Sequence, residues 1–218
     1  MTERTDVKLA LSYLPGRLTW IVGLGTAVGY SNNALGGWLI AGLTGNGGLD
    51  VEAAAYVIAI ETFVMGMVML AASTLIDRLP RKQVMLFALA AAVATQAMTA
   101  FAHEYWLLLL ARSLSGVAFG LLYSVAIANG AGAREPQKVF AGAAAIALVA
   151  GTGFNTVMGY GRVLGVPGLM LAEAVYCLAL SLPLVFMTFP RTLAAASLDE
   201  PRVHEHRGRL LGIGVILI

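Results

Sequence analysis

Residues 73–82, Ser-Thr-Leu-Ile-Asp-Arg-Leu-Pro-Arg-Lys, form a short charged turn between two long apolar runs, 53–76 and 83–101. Each run is long enough to cross a bilayer, whose hydrocarbon core takes about 20 helical residues. A turn this short can only reverse the chain, so the two runs are expected to be antiparallel spans. Asp77, Arg78, Arg81 and Lys82 make the turn net positive, which predicts that it lies on the cytoplasmic side.

The rest of the chain repeats the pattern. Apolar residues make up 59% of it and charged residues 12%, about half the charge of an ordinary soluble domain. Further spans are expected at 18–43, 105–128, 138–160 and 167–189, with Pro183 kinking the last near its end. The first is too long for a signal-peptide core and lacks a cleavage site, so it reads as a retained helix. Its glycines are tolerable because backbone hydrogen bonds in lipid stay within the helix. The fold class is therefore all-α: a polytopic membrane protein of six transmembrane helices. A cytoplasmic segment 1–17 precedes the transmembrane domain 18–189, and a charged linker 190–209 follows it. The nine apolar residues 210–218 would reach only about 14 Å as a helix, under half the core thickness. They read as the start of a seventh, truncated helix.

Charge distribution tests this topology. With the amino terminus in the cytoplasm, twelve of the fourteen Lys and Arg residues fall in inside segments. Arg162 alone lies in an outside loop, and Arg112 lies within a span. The outside turns carry Asp50, Glu52 and Glu104 instead. The positive-inside rule is met at every loop, and the inner membrane is the expected location.

Two stretches carry a resemblance. Ser73 to Lys82 is similar to the Gly-x-x-x-Asp-Arg/Lys-x-Gly-Arg-Arg/Lys turn between helices 2 and 3 of major facilitator superfamily transporters. Asp77, Arg78, Arg81 and Lys82 match it, while Ser73 and Pro80 replace glycines. In the fourth span, Arg112, Gly116 and Gly120 resemble that family's Arg-x-x-x-Gly motif. The resemblance implies the amino-terminal half of a twelve-helix facilitator built from parallel six-helix repeats. It also implies a latch, in which Asp77 meets a helix amino terminus of the second half and the basic residues pair with nearby acids. Arg112 would lie beside a central cavity. Gly116 and Gly120 would serve close helix packing.

Buried polar residues narrow the candidate site. An arginine inside a span costs at least ~2.5 kcal/mol and should have a partner. Arg112 lies about seven residues from the outer end of its span, Glu61 about nine, and Asn32 and Asn33 about ten. The matching depth predicts a Glu61–Arg112 pair completed by Asn32 or Asn33. That pair either locks the bundle permanently or lets Glu61 take a proton and free Arg112 for an anionic solute. Glu173 and Asn155 form a second set at matching depth, with Glu173 either a solute ligand or a protonated or snorkelling carboxyl bonded to Asn155 or Thr156. Tyr30, Tyr123 and Trp38 are candidate cavity or interface residues, and Thr95 and Gln96 read as helix–helix contacts.

These features predict secondary transport of a small solute by alternating access, coupled to protons, with a weak preference for an organic anion. Symport and antiport both remain open. A drug–proton antiporter is the weaker variant, because Asn155-Thr156 stands where such proteins carry Gly-Pro. The rival from another class is a non-transporting six-helix protein or subunit. Expected partners are the solute, protons, lipid, and a missing carboxy-terminal half or a second copy of the chain, with no nucleic acid. No enzyme, cofactor or metal pattern emerges. His204 and His206 lie in a charged linker, and the lone Cys177 allows no intramolecular disulfide.

Overall fold

The computed structural model describes residues 16–45, 47–187 and 189. The segment 1–15, most of the linker and the start of the expected seventh helix lie outside the described residues. Among those described the chain is all-helical: α1 (Arg17–Gly45), α2 (Val51–Leu75), α3 (Arg81–Ala100), α4 (Tyr105–Ala131), α5 (Pro136–Gly161) and α6 (Gly165–Phe186). Short 3-10 segments, Ile76–Arg78 and Arg162–Leu164, follow α2 and α5.

Four of these stretches are long and apolar enough to cross a membrane: Val51–Leu75, Arg81–Ala100, Tyr105–Ala131 and Pro136–Phe186. The protein is thus an integral, multi-pass membrane protein. The last stretch covers 51 residues, yet α5 and α6 pack on each other, so it must double back. Gly165 makes the reversal at φ 70°, ψ −152°, a conformation essentially confined to glycine. α1 is absent from the four because Tyr30, Ser31, Asn32 and Asn33 interrupt its apolar sequence.

Local chemistry sets the helix ends. Asp50 caps α2, its carboxylate accepting the Ala53 N–H at 2.7 Å. Pro80 precedes α3 and Pro136 opens α5, where the missing N–H has no helical partner to lose. α1 runs on to Gly45 and α4 to Ala131, past the expected span ends at 43 and 128, so the turns that follow them are shorter than the sequence suggests.

α1 and α4 form the centre. α1 packs on α2, α4, α5 and α6, and α4 packs on α1, α2 and α3, while α3 also meets α6. Glycine allows the closest approaches. A Cβ at Gly29 would stand 2.9 Å from the Tyr123 nitrogen, holding α1 against α4. On α4, a Cβ at Gly116 would stand 2.5 Å from the Glu61 carbonyl oxygen, and one at Gly120 2.9 Å from that of Met65. The two motif glycines therefore bring the backbones of α2 and α4 into contact, as small residues do between helices in lipid. Large apolar side chains such as Phe63, Phe87, Leu148 and Leu182 point outward, as expected where the surrounding solvent is hydrocarbon.

Candidate functional site

The close α2–α4 contact carries a side-chain consequence. Arg112 lies four residues before Gly116, on the α4 face that meets α2, and Glu61 projects from α2 onto it. The Arg112 Nε donates to Glu61 Oε2 at 3.0 Å, and Nη2 donates to the same oxygen. Nη2 also donates to Asn32 Oδ1 at 2.7 Å, from α1. Nη1 donates to Gln96 Oε1 at 2.9 Å, from α3, and contacts Met170 Sδ at 3.8 Å, from α6. A guanidinium has five N–H donors, and each is aimed at a protein acceptor. Arg112, Glu61, Asn32, Gln96 and Glu173 each expose 2% or less of their surface.

Breaking a buried pair by removing one partner costs about 3–5 kcal/mol. The arrangement is accordingly a strong tie between α1, α2, α3 and α4. Satisfaction is incomplete, because Glu61 Oε1, Gln96 Nε2 and Ser115 Oγ have no aligned hydrogen-bond partner. Ser115 lies within electrostatic reach of the Glu61 carboxyl, one turn along α4 from Arg112.

Glu173 occupies an adjoining niche. Its Oε1 is 3.2 Å from Ser31 Oγ, and its Oε2 has no partner. Ser31 Oγ also lies 2.8 Å from the Val28 carbonyl oxygen and 3.8 Å from Cys177 Sγ. Both Arg112 and Glu61 act electrostatically on Glu173, so the two niches form one buried polar region.

The structure brings Arg112, Glu61, Asn32 and Glu173 together and leaves Asn33 and Asn155 out. Asn33 is exposed on α1. The expected bond from Glu173 to Asn155 or Thr156 is not formed. Asn155 is exposed and donates to the Gly151 carbonyl at 3.0 Å, and Thr156 donates to that of Thr152 at 3.1 Å. The reason is rotational: α5 turns Phe154 and Met158 inward, so positions 155 and 156 face away. Gln96 is a direct partner of Arg112, beyond the simple packing role expected of it. Its depth, about five residues from the end of its span, matched that of Arg112 and was a usable signal. Ser31 carried no such signal beside two larger amides.

In the 73–82 turn, Arg78 is exposed, Lys82 is half-buried and Arg81 is turned inward. Arg81 Nη1 donates to the Ala128 carbonyl at 3.2 Å, placing a cation on the last turn of α4, where the helix dipole favours it. The Asp77 side chain lies outside the described residues, as do His204 and His206. Among the described residues no three His, Cys, Asp or Glu side chains converge on a metal position. Two cavities, of about 310 and 620 Å³, lie towards opposite ends of the bundle, and neither is lined by Arg112, Glu61 or Glu173.

Residues 50–128, spanning α2, α3 and most of α4, match the model of the family described as Sugar (and other) transporter. That segment contains both the charged turn and the Arg112–Gly116–Gly120 motif. It is of the major facilitator type. No curated protein and no solved structure matches the chain. The facilitator-type segment thus supplies Glu61, Gln96 and Arg112, while Asn32 and Glu173 reach the site from helices outside the matched range.

Proposed function

We propose that the protein is the amino-terminal six-span bundle of a facilitator that moves a small polar solute by alternating access, coupled to protons. One observation carries this reading: a fully buried Glu61–Arg112 pair, bridged to Asn32 and Gln96, ties four helices together in a facilitator-type bundle. Ionisable groups inside a membrane domain are costly to keep, and their usual use is a solute or proton pathway. The amino terminus and the 73–82 turn face the cytoplasm in this reading, as the Lys and Arg distribution requires. Latch contacts made by that turn with a second half would break and re-form as the halves rock.

The solute-facing surface is the exposed side of α1 and α5. Thr19 meets Gly142 and Gly23 meets Ile146, so the two helices run in parallel with a constant register. The same register sets Asn33 level with Thr156, and Asn32 level with Asn155. Tyr30, Asn33, Thr152, Asn155 and Thr156 are all exposed and carry only amides and hydroxyls. Because every donor of Arg112 is aimed at the protein, an organic anion would have to displace Glu61, Asn32 or Gln96. A neutral polar solute fits this face better.

Transport tests the reading. The protein, taken from its native membrane and returned to vesicles, is expected to show saturable uptake of a labelled polar solute that responds to an imposed proton gradient. Glu61→Gln is expected to change the pH dependence of that uptake. An unaltered pH profile would remove Glu61 from the coupling. No solute-dependent flux across a panel of neutral and anionic solutes would favour a non-transporting subunit.

A further inference from the structure

The buried region contains two carboxyls and one guanidinium. Arg112 gives two donors to Glu61 and none to Glu173. With both carboxyls ionised the region would carry a net negative charge deep within the bundle, where an uncompensated ion is strongly disfavoured. One proton is needed to balance it.

The hydrogen-bond inventory offers a place for that proton. The nearest polar neighbour of the Glu173 carboxyl is Ser31, and a hydroxyl has one hydrogen and two acceptor lone pairs. The Ser31 hydroxyl is set to donate to the Val28 carbonyl at 2.8 Å and to Glu173 Oε1 at 3.2 Å, with one hydrogen for the two contacts. If the shorter contact, to Val28, holds that hydrogen, the longer one to Glu173 Oε1 needs a hydrogen from the carboxyl itself. The Cys177 thiol, at 3.8 Å, is within reach to act as a weak donor to the second Ser31 lone pair, though either atom of that contact can donate. This assignment saturates Ser31 and leaves Glu173 Oε2 as a neutral carbonyl oxygen without a partner. An orphaned neutral acceptor costs less than an orphaned charge.

We propose that Glu173 is a proton-binding site, with Ser31 accepting the carboxyl hydrogen, and that proton release makes Glu173 compete with Glu61 for Arg112. On release the Glu173 O–H bond breaks, the proton passes to water, and the electron pair stays on the carboxylate. Arg112 Nη1 already contacts α6 at Met170, one turn before Glu173, so it is the donor placed to respond. Such a handover would loosen the tie between α2 and α4 and strengthen that between α4 and α6. The groups around Glu173 are few. α4 contributes Arg112, α2 contributes Glu61, and α1 and α3 contribute the uncharged Ser31 and Gln96. α6 itself carries Tyr176 and Cys177. α5 presents Phe154 against the Tyr176 ring, at 5.1 Å between centroids. In the adjoining 3-10 segment, Arg162 stands 6.0 Å over the Trp38 ring.

The inference deepens the proton-coupled reading above and rests on it for its purpose, but its test needs no solute. Infrared spectra of the protein in lipid vesicles at neutral pH should show the C=O stretch of a protonated carboxylic acid, and Glu173→Gln should abolish it. Absence of the band from the unmodified protein, or its survival in Glu173→Gln, overturns the assignment. If Glu173→Gln does not fold, Ser31→Ala serves instead. The band should persist and shift in frequency as its acceptor disappears, and an unshifted band overturns the proposal. Failure here leaves the transport reading intact, and absence of transport leaves the proton assignment intact.

Discussion

Glu61 and Glu173 are two glutamates in one buried region, both almost without exposure, yet their surroundings differ. Glu61 faces a guanidinium that donates to it twice. Glu173 faces a single serine hydroxyl, whose one hydrogen is shared between it and a backbone carbonyl. The contrast follows from helix neighbours. Gly116 and Gly120 let α2 approach α4 closely enough for Glu61 to reach Arg112. On α6, Met170, one turn away from Glu173, is the residue that meets the guanidinium. Burial alone therefore does not decide what a membrane carboxyl does; the donors within reach decide it.

The largest effect that would break this contrast is loss of the ion pair. Arg112→Met or Glu61→Gln should each destabilise the protein by about 3–5 kcal/mol, because each strands a buried charge or leaves buried carboxyls without their cation. Thermal unfolding in detergent measures it. Glu173→Gln, in contrast, should cost about 1 kcal/mol or less, since a neutral amide replaces a neutral acid. Equal losses at the two glutamates would erase the distinction.

Next in size is the backbone contact that positions Glu61. Gly116→Ala forces a Cβ against the Glu61 carbonyl and should cost about 1–3 kcal/mol. Gly151→Ala, where nothing lies within 4 Å, is its control and should be neutral or slightly stabilising. A neutral Gly116→Ala would show that α2 and α4 can separate without penalty.

Ser31→Ala removes one hydrogen-bonding group from the Glu173 niche. Polar contacts between helices in lipid average about 0.6 kcal/mol, and a loss of that order is expected. The smallest effect belongs to the exposed α5 face. Asn155→Ala should leave stability within about 0.5 kcal/mol while raising the KM for the transported solute. An unchanged KM would detach that face from solute binding.

Much of the site could be read from residue types and positions along the spans. Counting residues from the span ends brought Glu61, Arg112 and Asn32 to one level, because every helix rises by the same increment per residue. The same counting could not choose between Asn32 and Asn33. Neighbours on a helix point about 100° apart, and only packing determines which one faces inward. That limit explains the misplaced Asn155 as well: its depth matched Glu173, but its azimuth did not. Gln96 is less legible because an uncharged amide does not demand a partner as visibly as an arginine does.

Sequence by itself determined that this chain is a set of apolar helices, successive ones antiparallel, with a charged 73–82 turn and an arginine that must find a buried partner. Those conclusions rest on hydrophobic length and on the cost of charge in hydrocarbon, both of which act locally along the chain. Only tertiary structure decided that all five guanidinium donors are engaged and that Glu173 faces Ser31 instead of Asn155. Those outcomes depend on helix rotation and interhelical distance, which are set by close glycine contacts between segments far apart in sequence.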